Sequence, residues 1–201
     1  MILGSMVLAG GRSDRMGRSK PALPWGDGSL LLHTVQTLIE CSHPVVVVAR
    51  DDHQDLPPLH TECELIYDAR PGEGPLQAID AGLAFLERKC DAVFVAGCDL
   101  PFLDAVVIGR FFDLLGEQMG VVPTHDGEPQ PLCAIYNLRV HSAVHELVQA
   151  GQRRAQALAE LPGIKLLGPA ELRAIDPALR FFRDVDTPDD YEAARKTAGL
   201  T

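Results

Sequence analysis

The five consecutive apolar residues Val45-Val46-Val47-Val48-Ala49 are the strongest constraint on the fold. A strand with no polar residue on either face has to be covered on both, as in a parallel sheet held between two helix layers. Comparable short runs recur at Met6-Val7-Leu8, Leu65-Ile66-Tyr67 and Ala92-Val93-Phe94-Val95-Ala96. Segments with helical spacing lie between them. Residues 30–39 carry an apolar face, with Asp27 or Ser29 as cap, and residues 76–88 bring Leu76, Ile79, Leu83 and Leu86 together. This alternation predicts an α/β fold: a single domain over residues 1–201 with a mainly parallel, doubly wound sheet and helices on both faces. Helices are also expected over 105–118, 139–149 and 153–161. Strands at 120–123 and 131–136 flank a turn at His125-Asp126-Gly127-Glu128. Two successive strands break the rhythm and predict an antiparallel addition in the second half. Further strands are expected at 164–167 and 181–185. The last helix opens at Thr187-Pro188, with proline at its tolerated first position.

Composition narrows the class. A chain of 201 residues suits one core. No apolar run approaches the ~20 residues of a membrane span, and the N-terminus lacks the basic and long apolar stretches of a secretory leader. The five cysteines, at 41, 63, 90, 98 and 133, form no C-x-x-C pair. Reduced thiols in a cytoplasmic protein are the expectation, with no zinc set among them. His141 and His145 are four apart on a predicted helix; no third ligand stands in register with them, so they read as a solvated or packed pair.

The apolar run Met6-Val7-Leu8 leads into Ala9-Gly10-Gly11-Arg12-Ser13-Asp14-Arg15-Met16-Gly17-Arg18-Ser19-Lys20. Glycines admit close backbone approaches, and successive peptide N–H groups in such a turn cradle an anion. Arg12, Arg15, Arg18 and Lys20 oppose one acid, Asp14, in a protein whose net charge is −10. A positive loop on an acidic chain suits a polyphosphate and argues against a nucleic-acid surface. The spacing is neither Walker A nor the Rossmann G-x-G-x-x-G. In an open parallel sheet, ligands bind beyond the carboxyl ends of the strands. The Gly10 loop, Asp68, Asp99 and Asp184 to Asp186 all follow predicted strands, so they are expected to meet in space.

The loop resembles the L-A-G-G-x-S-x-R-M-G-x-x-K signature of nucleotidyltransferases, and the chain from about residue 6 to 191 is similar to the molybdenum cofactor guanylyltransferase family. Cys98-Asp99-Leu100-Pro101 resembles the family's C-D-x-P stretch, whose Asp holds the metal. Gly74-Pro75-Leu76 resembles its G-P-L element against the nucleotide, and Asp184-Val185-Asp186-Thr187-Pro188 its D-x-D-T-P element. Gln130-Pro131-Leu132-Cys133-Ala134-Ile135-Tyr136 resembles the Q-P-L-x-A-x-Y strand. That strand and Leu8-Ala9-Gly10-Gly11 favour GTP, because the cytidylyltransferases tend to carry G-H-P and L-A-A-G instead. Two positions depart from the pattern. Ser19 stands where an acid often precedes the lysine, and Arg50 stands where an Asn often ends the second strand.

The resemblance implies attack of the molybdopterin phosphate on the α-phosphorus of GTP, with loss of pyrophosphate. A phosphate nucleophile is already anionic, so no general base is needed, and catalysis is positioning and charge stabilisation. The implied catalytic residues are Arg15, Lys20 and Asp99. Leu8, Ala9, Gly10, Gly11, Lys20, Asp68, Gly74 and Asp99 would bind the nucleotide. Mg²⁺ would sit on Asp99 with Asp186. Gln130, Arg153, Arg154 and Asp184 would face the acceptor. Residues 6–123 would form the nucleotide half and 124–201 the acceptor half. Partners would be GTP, molybdopterin and, transiently, proteins that donate or accept the cofactor, with neither nucleic acid nor membrane. Plainer roles stand beside these: Asp99 as cap of the next helix, Asp68 as a turn residue, Asp186 or Thr187 as a helix cap, and Arg153 and Arg154 as a solvated helix start. The competing functions are a CTP-dependent cytidylyltransferase, a sugar-1-phosphate nucleotidyltransferase, and a nucleotide-binding regulatory module without turnover.

Overall fold

A computed structural model describes residues 1–11 and 16–200. Strand β1 (Leu3–Leu8) is central. After it come a two-strand ribbon, β2 (Pro24–Trp25) and β3 (Gly28–Ser29), helix α1 (Leu30–Ile39), and strands β4 (Val45–Ala49) and β5 (Cys63–Tyr67). Helix α2 (Pro75–Leu86), β6 (Ala92–Gly97), α3 (Ala105–Leu115) and β7 (Gly120–His125) continue the alternation. The second half adds β8 (Glu128–Pro129), β9 (Cys133–Asn137), α4 (His141–Gln149), β10 (Ile164–Leu167), α5 (Pro169–Ile175) and α6 (Pro188–Ala198).

The main sheet runs β10-β7-β9-β6-β1-β4-β5, with β8 paired to β7. Strands β6, β1, β4 and β5 run parallel to one another, and β7 runs parallel to β10. Strand β9 is antiparallel to both β6 and β7, which is the antiparallel addition the two successive strands called for.

Every residue of β4 is buried, because both faces are covered. On one face Val7, Val45, Val47, Phe94 and Ala96 pack against Leu31, Val35 and Leu38 of α1 and Val107, Ile108 and Phe111 of α3. On the other, Met6, Val46, Val93 and Val95 meet Leu76, Ile79 and Leu83 of α2 and Val144 and Val148 of α4. Adjacent residues of each strand thus serve opposite cores, the period-two rule of a pleated strand. A third, smaller cluster seats Met16, Leu23 and Trp25 under Val185 and Tyr191 of the C-terminal segment. The Tyr191 hydroxyl donates to the Pro24 carbonyl at 2.5 Å. This clamps the stretch that carries Lys20.

Three expectations are corrected, and one helix is added. Residues 181–185 form no strand. Leu179 adopts φ +50°, and a 3₁₀ turn, Arg180–Phe182, follows. Phe181 is fully buried, its ring edge-on to Phe111 with centroids 6.1 Å apart. An apolar run satisfies aromatic packing as well as a ladder, and here the rings take it. The helix expected over 153–161 is a 3₁₀ turn, Ala155–Glu160, confined between Gly151 and Pro162. Helix α3 stops at Leu115, short of 118. Helix α5 was not anticipated. Its start is signalled by Pro169 at the first turn and by Glu171, whose carboxylate accepts from the Gly168 N–H at 3.1 Å.

Phe111 is the hub of this packing, edge-on to Phe94 at 5.9 Å as well as to Phe181. Phe111→Ala is expected to cost about 3–5 kcal/mol in urea unfolding, within the range for a buried aromatic. Phe112→Ala, at a half-buried neighbour, should cost clearly less.

Candidate active site

Strand register builds the site. Leu8 of β1 lies beside Val48 of β4 and Gly97 of β6, and Ala49 lies beside Tyr67 of β5. The residues that follow, Ala9, Arg50, Asp68 and Cys98, therefore leave the sheet at one level. Strand β1 also has the chain's two directions of growth on either side: β4 and β5 extend outward one way, then β6 returns to the other edge. Ligand crevices form at such a switch point. Here a cleft of about 440 Å³ opens, within the usual range for a small-molecule site.

Leu8, Ala9, Gly10, Gly11, Lys20, Asp68, Gly74 and Asp99 all line that cleft. The structure thus brings together the eight positions expected at the nucleotide. Arg15 lies outside the described residues. Gln130 does not line the cleft: its side-chain amide donates to the Glu128 carbonyl at 3.3 Å in the hairpin. Arg153 and Arg154 are exposed, their N–H groups held by the Gln152 side chain at 2.9 and 3.1 Å. Arg153 still borders the site through its backbone, because its carbonyl accepts from Leu76 N–H at 3.3 Å, at the start of α2.

Lys20 projects from a short 3₁₀ turn, Lys20–Ala22. Its ammonium donates to Asp99 Oδ2 at 2.8 Å and to Asp186 Oδ1 at 2.5 Å. Burial opposes its charge, but the charge of Asp99 and the hydrogen bonds to Asp186 and Asp99 outweigh burial and hold Lys20 above the ordinary lysine range. Asp184 is pushed up first by desolvation and then by the negative charges of Asp186 and Asp99. Two carboxylates therefore hold one ammonium, with Asp184 close enough to feel all three charges. Asp184 and Asp186 reach this place without a strand: Val185 N–H donates to the Asp99 carbonyl at 3.0 Å, and the Val185 side chain is buried.

Helix caps are supplied by other residues. Asp104, not Asp99, caps α3 by accepting from Val107 N–H at 2.9 Å. Thr187 caps α6, exchanging hydrogen bonds with Asp190 at 3.2 and 2.8 Å. Ser29 caps α1, accepting from Leu32 N–H at 3.3 Å. Asp68 does form a turn, accepting from Arg70 N–H at 2.9 Å, while also lining the cleft. Desolvation raises it, against that hydrogen bond and with the Glu73 charge.

Three positioning groups escaped the sequence reading. Gln54 accepts from Arg50 N–H and donates to the Ala9 carbonyl, both at 2.7 Å, and so latches the glycine loop to the end of β4. A lone glutamine in an irregular loop carries no signal. Gly97 makes room for Asp99, since a Cβ there would sit 2.5 Å from Asp99 Oδ1. Asp80 of α2 stands beside the histidine pair of α4, its Oδ2 3.1 Å from His145 Nδ1. His141 and His145 thus do have a third neighbour, supplied from a remote part of the chain.

A nucleotidyltransferase is the class that this fold and cleft define. Residues 5–165 match the MobA-like NTP transferase domain, and the chain belongs to that family. It is 30% identical over 212 residues to a probable molybdenum cofactor guanylyltransferase of Chloroflexus aggregans, covering 100% of this chain and 97% of that protein. It is 33% identical to one from Mycolicibacterium paratuberculosis, covering 96% and 95% of the two chains. The crystal structure of molybdopterin-guanine dinucleotide biosynthesis protein A from Archaeoglobus fulgidus superposes with a TM-score of 0.80 at 24% identity, covering 98% of this chain and 100% of that one.

Two glycine substitutions should separate carboxylate placement from backbone integrity. In Gly97→Ala the new methyl meets only the mobile end of Asp99, so the fold survives while the carboxylate moves. Turnover should fall by about 100-fold, the cost of a misplacement on the order of 1 Å, with an unchanged melting temperature. Gly74 has φ +100°, and its Cβ would lie 2.6 Å from the Arg153 carbonyl oxygen. Gly74→Ala should instead destabilise by about 1–3 kcal/mol in thermal unfolding.

Proposed function

We propose that the enzyme transfers GMP from GTP to the phosphate of molybdopterin, releasing pyrophosphate and forming the guanine dinucleotide cofactor. The observation that carries this reading is the ammonium of Lys20 held between Asp99 and Asp186 at the mouth of the switch-point cleft. The guanylyltransferase relatives support the substrates, as do Leu8-Ala9-Gly10-Gly11 and Gln130-Pro131-Leu132.

In this mechanism the N–H groups of Gly10 and Gly11 receive the phosphates, and Gly74 lets the nucleoside lie against the backbone, with Asp68 at its edge. Lys20 stays protonated at neutral pH, because Asp99 and Asp186 hold it above its ordinary range, and it stabilises the charge that builds on the leaving pyrophosphate. Arg15 shares this task. Buried Cys98 takes no part: burial, then the Asp99 charge, pushes its thiol far up and suppresses the thiolate.

The oxygen-only donors Asp99 and Asp186, with Asp184 alongside, fit a hard divalent cation; desolvation first, and then the charges of Asp186 and Asp99, raise Asp184, and such an ion would offset that repulsion. Mg²⁺ held by Asp99 and Asp186 would act as a Lewis acid on the phosphate oxygens. Asp184, the Arg153-Arg154 turn and Gln130 then serve the acceptor. Residues 6–123 serve the nucleotide and 124–201 the acceptor. Among the described residues no helix is long and apolar enough to cross a membrane. The reaction belongs in the cytoplasm, with transient contacts to proteins that deliver or take the cofactor.

Pyrophosphate release measured with GTP and with CTP, with Mg²⁺, with and without molybdopterin, tests the reading. Release with GTP only, and only when the pterin is present, is expected. A preference for CTP would overturn the base, release with a sugar 1-phosphate would overturn the acceptor, and binding without release would make the protein a regulatory module. Lys20→Ala and Asp99→Asn should each lower kcat by about 10²–10³-fold, the scale of losing one transition-state charge contact.

A further inference from the structure

We propose that Asp80, His141 and His145 form a binding site for a Zn²⁺-class divalent cation that clasps α2 to α4, apart from the carboxylate cluster of the nucleotide cleft. One potential ligand atom from each of the three side chains lies within 4.8 Å of the others. Asp80 Oδ2 is 3.1 Å from His145 Nδ1, and Asp80 Oδ1 is 3.3 Å from His141 Nε2. A tetrahedral ion with bonds of about 2.0–2.1 Å has ligand–ligand edges of about 3.3 Å. The contact of Asp80 Oδ1 with His141 Nε2 already has the length of one such edge, and His145 stands close enough to supply the third ligand.

A second observation points to a ligand. The Asp80 side chain is only 10% exposed, and its Oδ1, although near His141, has no hydrogen-bond partner among the described residues. A buried carboxylate oxygen left unpaired costs free energy, and a cation between Asp80 and the two rings would satisfy it. Two imidazoles and one carboxylate form a borderline donor set that suits Zn²⁺ and its transition-metal neighbours better than Mg²⁺. His141 and His145 are one helical turn apart on α4, so their rings share a face. Three protein ligands leave one position for water.

The position gives the clasp a purpose. Helix α2 begins at Pro75, on the wall of the cleft, and α4 leads into the turn whose Arg153 carbonyl receives Leu76 N–H. An ion joining the bodies of these helices would hold that contact and stiffen the cleft's edge.

The test uses the full chain stripped with chelator and kept in excess Mg²⁺. Co²⁺ is the optical probe and Zn²⁺ the thermal one. One equivalent of Co²⁺ should develop a visible spectrum in the wild type and in Asp99→Asn. In His145→Ala and Asp80→Asn, affinity should fall by at least about 100-fold, since losing even an outer-shell partner costs about 10–100-fold. At 100-fold excess over its dissociation constant, Zn²⁺ should raise the wild-type Tm by roughly 5–10 °C, and should not do so in either variant. His145 is half-exposed, so its variant is expected to fold; the metal-free circular dichroism checks this. A Co²⁺ spectrum unchanged in His145→Ala, one lost in Asp99→Asn, or no spectrum in the wild type would overturn the site.

Discussion

Backbone hydrogen bonding that keeps β4, β1 and β6 in parallel register is what the rest of the molecule depends on. Leu8, Val48 and Gly97 stand side by side, so the loops after them emerge at one height. A one-residue slip would exchange the inward and outward faces of a strand, and its loop would emerge displaced. The two buried cores pin that register, since each strand divides its side chains between them. Fold stability and site geometry are thus one constraint expressed at two ends of the same strands.

Electrostatics is then added to a frame already rigid. Lys20 is carried by a segment held down by Met16, Leu23 and Trp25 against Tyr191, and Asp186 comes from the stretch just before the helix bearing Tyr191. The N-terminal loop and the C-terminal helix therefore hold the two partners of one ion pair. Asp99 arrives from β6, on a different element again, and meets the same ammonium. Removing any one member leaves its neighbours with unbalanced charge in a half-buried place, which makes the cluster sensitive to single substitutions.

Several elements were plain in the sequence for a stated reason. Strand β4 could only be a doubly covered strand, and α2 announced its buried face through Leu76, Ile79, Leu83 and Leu86. The glycine loop after β1 and the acids after β5 and β6 were legible because strand ends in a parallel sheet converge. The 181–185 segment misled because aromatic and β-branched runs look alike whether they pair in a ladder or pack as rings. The roles of Asp99 and Asp186 were ambiguous against helix capping. In the structure the caps of α3 and α6 are Asp104 and Thr187.

The sequence alone determined the α/β class, the parallel core and the anion-suited loop, because those follow from local periodicity, composition and the rule that strand ends face ligands. Tertiary structure decided everything that joins residues distant in the chain. It brought Lys20 between Asp99 and Asp186, latched Ala9 to Arg50 through Gln54, and set Asp80 against His141 and His145. Such contacts depend on how helices settle on the sheet. That settling is governed by close packing of two cores, a property of the whole chain that no short window encodes.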